Sequence, residues 1–195
     1  MIGADPADDP LRGLLGRLST GPRQLADPAP GDADLQRMTA AALRAPDHAG
    51  LVPWRLAVVR GDARRQLADL FEAAALAAGK DAEEARRDRD RALRPPMSVA
   101  LIARIDSGHP QATVHEQWMA VGGALANFLN AAHALGYGGK MLSGAKVRAP
   151  AVVAAFCAPG ETLVGWVVLG TPQGALTARF RKPPPEQIVK HWPGD

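Results

Sequence analysis

Apolar residues recur along this chain with two periods, and their succession predicts its elements. Leu11, Leu14, Leu15 and Leu18 fall at helical spacing behind Asp9 and Pro10, a capping residue and a first helical position. That pattern predicts a short amphipathic helix over residues 9–18. Leu35, Met38, Ala42 and Leu43 repeat the spacing after Asp32. Between the two helices lies STGPRQLADPAPG, whose glycines and prolines require a structured turn or an extended arm. WRLAVVRG reads as a strand closed by Gly61 and Asp62, which also open a helix through Leu67, Leu70, Phe71 and Ala74. DAEEARRDRDRALRPP is charged on nearly every face and predicts a solvated helix or a mobile lid. SVALIARI is apolar on both faces and predicts a central strand.

From Glu116 to Leu135 the chain is apolar nearly all round, with small residues at Ala120, Gly122, Gly123, Ala124 and Ala126, so this long helix must be buried. Two arrangements bury it equally well: the centre of a monomer core, or a pairing with its own copy across a symmetric dimer. GYGGKMLSGA then predicts a Gly-rich turn into a short strand, APAVVAAFC a helix, and LVGWVVLG a third long strand. The prolines of the last stretch exclude a regular element over much of residues 172–195, which are expected to form an extended tail. With no repeat and no linker, the pattern is that of one α+β or α/β domain over residues 1–195, residues 1–10 being flexible.

Composition narrows the class. The chain has 195 residues, 47% of them apolar and 22% charged, which fits one globular domain and excludes disorder. Its longest apolar runs are about eight residues, far short of the ~20 that span a bilayer, so no membrane is involved. The acidic start MIGADPADDP lacks the blocks of a signal peptide, and a cytoplasmic location is expected. A lone Cys157 permits no internal disulfide and argues against a structural zinc site. The net charge is +3, the arginines are dispersed, and Tyr137 with a few Trp and Phe gives little stacking surface. A phosphate-bearing small molecule suits that surface better than nucleic acid.

Three stretches carry candidate chemistry. In APDHAGLVPWR, His48 sits in a loop between a helix and a strand, where functional residues concentrate, although a lone loop histidine is more often a structural hydrogen-bonder. RLSTGPR sets two cations, two hydroxyls and a glycine at a helix end: a grip for a phosphate monoester, or a solvated turn. The glycines of YGGKMLSGA allow either tight turns or a close approach of backbone to a flat ligand. No dinucleotide glycine fingerprint, phosphate-loop lysine motif or G-x-S-x-G elbow is present.

Taken in order, RLSTGPRQLADPAP, LRAPDHAGLVPWRLAVVRGDAR, HEQWMAVGGALANFLNAAHALGYGGKMLSGA and LVGWVVLGTP resemble the nitroreductase family of flavoproteins, in particular its small, minimal branch, from about Leu11 to Lys190. The resemblance implies an α+β fold in three layers, a central, mostly antiparallel sheet flanked by helices. It implies a homodimer with FMN in each of two interfacial clefts, the helix from Glu116 forming the dimer core and Gly123 lying on its small-residue face. Arg17, Leu18, Ser19 and Arg23 match the family's phosphate- and ribityl-binding arm. Arg44 and His48 match positions near the cofactor, while Met141, Leu142 and Ser143 match the strand under the isoalloxazine ring. Arg181 matches a second phosphate contact. NADH or NADPH would reduce the flavin, which would pass hydride to an electron-poor small molecule such as a nitroaromatic or quinone. No general acid or nucleophile is implied, and His48 is a cofactor contact with at most a proton-handling role. Two departures stand out: Leu18 replaces the second of two usual arginines, and Leu142 stands where close relatives often carry a cation. The alternative function is a nitroreductase-fold dimer that binds FMN weakly or not at all and serves as a binding or regulatory protein.

Overall fold

The computed structural model of the chain describes residues 11–178 and 181–192. In chain order its elements are α1 (Arg12–Gly16), β1 (Leu25–Ala26), α2 (Asp32–Ala42), β2 (Trp54–Arg60), α3 (Ala63–Ala77), α4 (Ala82–Ala92), β3 (Met97–Ala103), α5 (Val114–Ala134), β4 (Gly138–Leu142), α6 (Pro150–Phe156) and β5 (Thr162–Pro172). All strand pairs are antiparallel in one five-stranded sheet of order β1-β5-β3-β2, with β4 also paired to β5. β3 is buried at every position, as a strand apolar on both faces must be.

Strand alternation sends the two sides of β3 and β5 into separate cores. Met97, Val99, Leu101, Val167 and Leu169 face α2 and α5, joined by Met38, Val121 and Phe128. Ala100, Ile102, Leu163 and Trp166 face α3 and α6, joined by Leu67, Ala74 and Val152. The result is the expected three-layer α+β arrangement. Two glycines permit close backbone approaches. A Cβ on Gly138 would lie 2.8 Å from Thr20 Oγ1, so glycine lets the arm after α1 press onto β4. Gly165, at φ 155°, stands opposite the register shift between Leu101 and Ile102, and a side chain there would run into the Leu142 carbonyl.

Several expectations need correction. The first helix covers only Arg12–Gly16, and Leu11, Leu14 and Leu15 are each half or more exposed rather than buried in a core. Leu18 lies beyond the helix, and the capping pair Asp9 and Pro10 falls outside the described residues. The long helix starts at Val114, because Thr113 and Glu116 form a reciprocal capping box that satisfies its first amides. It is not buried all round: Trp118 is 39% and Met119 62% exposed, next to exposed Gly122 and Ala126. Gly123 is turned inward, with a built Cβ only 3.1 Å from Ala45 Cβ, and is not part of the outward face.

The charged run is also less solvated than its composition implies. It forms α4, capped by Asp81 accepting from the Glu84 amide, and buries Ala85, Asp88 and Ala92. Among the described residues no helix is long and apolar enough to cross a membrane. Among the described residues from Gln173 onward the tail holds no helix or strand beyond a 3-10 turn at Pro185–Gln187, and residues 181–192 are exposed.

Two carboxylates give the fold a defined acid sensitivity. Glu161 accepts from Arg55 Nε at 2.8 Å and Nη2 at 2.6 Å, and Arg55 also donates to the Phe156 carbonyl. The guanidinium, then the Ala158 amide, holds Glu161 at about 2. Hydrogen bonds from His48 and Thr113 hold Glu116 at about 2 as well. A folded-state value below the ordinary 4.5 means that the unfolded chain binds the extra protons, so these bonds contribute fully above about pH 4.5 and are lost as the pH falls toward 2. Melting temperature measured from neutral to acid pH is expected to fall through this window, and Glu161→Gln should flatten the slope.

Candidate functional site

An open cavity of about 630 Å³ lies on the α3 face of the sheet, between the arm, α3, α4 and the loop after β4. Each wall has a sequence reason for being there. The arm leaves α1 at Arg17, pairs with β4 through a parallel bridge from Ser19 to Gly139, and is tied by Thr20 N donating to Gly139 O at 3.1 Å. It then turns at Pro22–Gln24, placing Gly21, Pro22, Arg23 and Gln24 along the rim. β4 ends at Leu142, and the following Ser143 and Gly144 form the facing wall. Phe71 and Trp166, packed edge to face with centroids 4.9 Å apart, supply an aromatic floor.

The polar lining converges on one buried carboxylate. Asp88, its side chain only 5% exposed, accepts from Lys80 Nζ at 2.7 Å and pairs with Lys146 Nζ at 2.7 Å and Arg91 at 3.2 Å. Burial pushes the carboxyl up, but the Lys146 and Lys80 ammonium groups outweigh it and leave Asp88 below the ordinary carboxylate range. Lys146 Nζ also stands 5.1 Å from the centre of the Phe71 ring. Among the described residues the buried indole Nε1 of Trp166 finds no hydrogen-bond partner, leaving a free donor on a cavity-lining residue.

Removing the carboxylate would leave two partly solvated ammonium groups facing each other. Breaking a fully buried pair costs about 3–5 kcal/mol, and since both lysines reach solvent, Asp88→Ala should cost about 2 kcal/mol. Chemical denaturation is the check, with unchanged stability counting against the pairing.

The sequence-based candidates fall into two groups. Arg23, Leu142 and Ser143 line the cavity; Ser19 bridges to β4 outside it, and Met141 packs against the α2–α5 core on the other face of the sheet. Arg17 is the residue that closes α1. Leu18 is half-buried and belongs to neither apolar core. Arg44 and His48 lie elsewhere. Arg44 borders a shallow groove of about 420 Å³ with Gly13, Leu14 and Asn127, where α1, α2 and α5 meet. Arg181 is exposed in the tail and does not reach the cavity. Sequence reasoning missed Asp88, Lys80, Lys146 and Trp166, because the charge run hid the single acid that folds inward.

His48 occupies a strained loop. Ala49 at φ 66° and the β-branched Val52 at φ 46° are both left-handed, at a cost on the order of 1–3 kcal/mol each. Asp47 Oδ2 holds the loop by accepting from the Val52 amide at 2.7 Å. His48 Nδ1 lies 2.8 Å from Glu116 Oε1 at the start of α5. Pro53 and Trp54 are buried where the loop enters β2.

Comparison with known proteins agrees with this architecture. The model of the nitroreductase family matches residues 14–171. YdjA of Escherichia coli strain K12, which carries the provisional name NAD(P)H nitroreductase, is 34% identical over 185 residues, covering 94% of this chain and 100% of its own. Among solved structures, a nitroreductase-like protein from Bacillus cereus superposes with a TM-score of 0.77 at 23% identity, over 93% of this chain and 95% of that one. A protein from Desulfovibrio desulfuricans, described as a nitroreductase in complex with FMN, gives 0.71 at 21% identity, over 98% and 99%. The chain belongs to the nitroreductase family.

Proposed function

We propose that this protein is an FMN-dependent oxidoreductase that takes hydride from NADH or NADPH and delivers it, by way of the flavin, to an electron-poor small molecule such as a nitroaromatic or a quinone. The observation that carries this reading is the cavity between the arm and the end of β4, in a chain that matches its family over residues 14–171. Its size lies within the usual range for a small-molecule site. Its chemistry fits a flavin mononucleotide: an aromatic and aliphatic wall for a flat ring, the Lys146 and Trp166 donors for a carbonyl-rich edge, and Arg23 on the rim for a phosphate. When bound, the flavin supplies the hydride chemistry, and the protein supplies position and charge.

In this reading Arg17 and Arg23 hold the phosphate from the arm, with Ser19 beside them, and Arg181, which lies outside the cavity of its own chain, serves as a further phosphate contact in the cleft of a second copy. The backbone of Met141, Leu142 and Ser143 lies along the ring. Leu18 contributes no charge. Arg44 and His48 stand away from the cavity of their own chain and serve the cleft of a second copy. That assembly is supported by the unpacked side of α5, where Trp118 and Met119 are exposed beside Gly122 and Ala126, and by the bare leucines of α1. An apolar stripe of this kind on a folded chain is the mark of a partner surface.

The decisive experiment is direct. Purified protein should be yellow, or should become so on reconstitution with FMN, and should then oxidise NADH or NADPH with menadione or a nitrofuran as acceptor. A colourless protein that takes up no FMN would favour the regulatory dimer instead, a reading that the uncharged Leu18 and Leu142 support.

A further inference from the structure

The loop carrying His48 and the first turn of α5 are joined by one side-chain contact, His48 Nδ1 to Glu116 Oε1 at 2.8 Å. Glu116 is fixed from the other side as well: Oε2 accepts from the Thr113 amide and hydroxyl, both at 2.8 Å, within the capping box of α5. The carboxylate is thus ionised and acceptor-only, with each oxygen engaged. A carboxylate can meet a ring nitrogen at this distance only if that nitrogen bears the proton. Nδ1 therefore carries hydrogen whether His48 is neutral or charged. Nε2 makes no hydrogen bond among the described residues, and the imidazole side chain is 55% exposed.

We propose that Glu116 is a positioning residue for His48: it locks the imidazole with the proton on Nδ1, so that neutral His48 presents Nε2 as a hydrogen-bond acceptor to an O–H or N–H group of the bound flavin. This rests on the reading above that His48 borders the cofactor. The ribityl hydroxyls and the ring N–H of the flavin are donors of the required kind. The capping box gives the device rigidity, because Glu116 cannot rotate away from His48 without also releasing the Thr113 amide.

Glu116→Gln separates this role from a structural one. Glutamine is tolerated in a capping box, and its carbonyl oxygen must serve the Thr113 amide, leaving its NH₂ turned toward His48. An amide donor facing Nδ1 moves the proton to Nε2, converting the presented acceptor into a donor. In full-length protein labelled with ¹⁵N-histidine, above the histidine titration range, His48 is expected to show the Nδ1–H pattern in wild type and the Nε2–H pattern in Glu116→Gln. His48→Ala assigns the resonances. Thr113→Ala removes the hydroxyl but keeps the backbone amide that holds Glu116 Oε2, and should leave the His48 pattern as in wild type.

FMN titration completes the test. Glu116→Gln should weaken FMN about tenfold and shift the bound-flavin spectrum, His48→Ala at least as much, and Thr113→Ala within about twofold of wild type. An Nε2–H tautomer in wild-type protein overturns the inference whatever the variants do. So does a tautomer that switches in Glu116→Gln while FMN affinity and spectrum stay fixed. If His48→Ala also leaves FMN unmoved, the fault lies in placing His48 at the cofactor, and the inference falls with that placement.

Discussion

Gly122→Leu is expected to convert the proposed dimer to monomer and to weaken its hold on FMN. Among the described residues, and apart from its own helix turn, nothing lies within 4 Å of a Cβ built at Gly122, and the residue is exposed in the middle of α5. For an isolated chain the change should be neutral or mildly stabilising, since glycine is ~0.8–1.0 kcal/mol worse than alanine inside a helix and leucine is close to alanine. Against a symmetric partner the same leucine meets its copy. Overpacking costs ~1–3 kcal/mol per site, and a two-fold interface has the site twice, so dimer affinity should fall by a factor on the order of 30 to 10⁴. Gly123→Leu is a different experiment, because its side chain would strike Ala45 of the same chain at the end of α2. That variant should lose stability in monomer and dimer alike. Sedimentation over a concentration series decides the matter: a Gly122→Leu protein that remains dimeric and yellow, or a wild type that is monomeric, removes α5 from the interface.

The contrast between these neighbouring glycines marks the limit of what the chain discloses by itself. β3 and α5 were legible because burial on every side of a strand, or on most sides of a helix, leaves few polar positions, and no distant residue is needed to interpret that. Which side of α5 meets its own chain is settled by Ala45, far away in sequence, so Gly122 and Gly123 look alike in a string of letters. The charge run failed for the same reason. Asp88 is one acid among many between Asp81 and Arg94, and the partner that marks it out, Lys146, arrives from the loop after β4, far away in sequence. Glu161 and Arg55, and likewise Glu116 and His48, are pairs made by topology rather than spacing. The arm, the His48 loop and the end of β4 were legible as candidates because each combines glycine or proline with chemistry-bearing side chains. How they divide between one cavity and a second surface was not, since that division is a property of the fold and of its partner.

Arg17→Ala is expected to weaken FMN by tenfold to hundredfold, and Leu18→Arg to tighten it by up to about tenfold. A charge-assisted hydrogen bond contributes roughly 1.5–3 kcal/mol, and each ~1.4 kcal/mol is a factor of ten in affinity. The two residues are not equivalent in this chain. Beyond α1 the backbone is extended, Arg17 having ψ 120°, and it joins β4 at Ser19. Alternation then puts Arg17 with exposed Ser19 on the open side, and Leu18 with buried Thr20 on the other. Arg17 therefore faces the open side that residue 18 turns away from, and in the proposed site its loss is the larger effect. Leu18 is half-buried and packs into neither core, so an arginine there can carry its guanidinium out to the rim along its flexible stem without opening a cavity. Thr20 sets the boundary condition: it is buried tight against Gly138 and its amide is tied to the Gly139 carbonyl, so the arm has little freedom to shift and present residue 18 differently. Flavin fluorescence titration of apo-protein, for wild type and both variants at one fixed salt concentration, reads the outcome. Tightening by Leu18→Arg that disappears at high salt would identify a phosphate contact, since screening weakens exposed charge pairs. If neither variant moves the FMN affinity, the phosphate does not sit at this arm, and the cofactor lies elsewhere along the cavity.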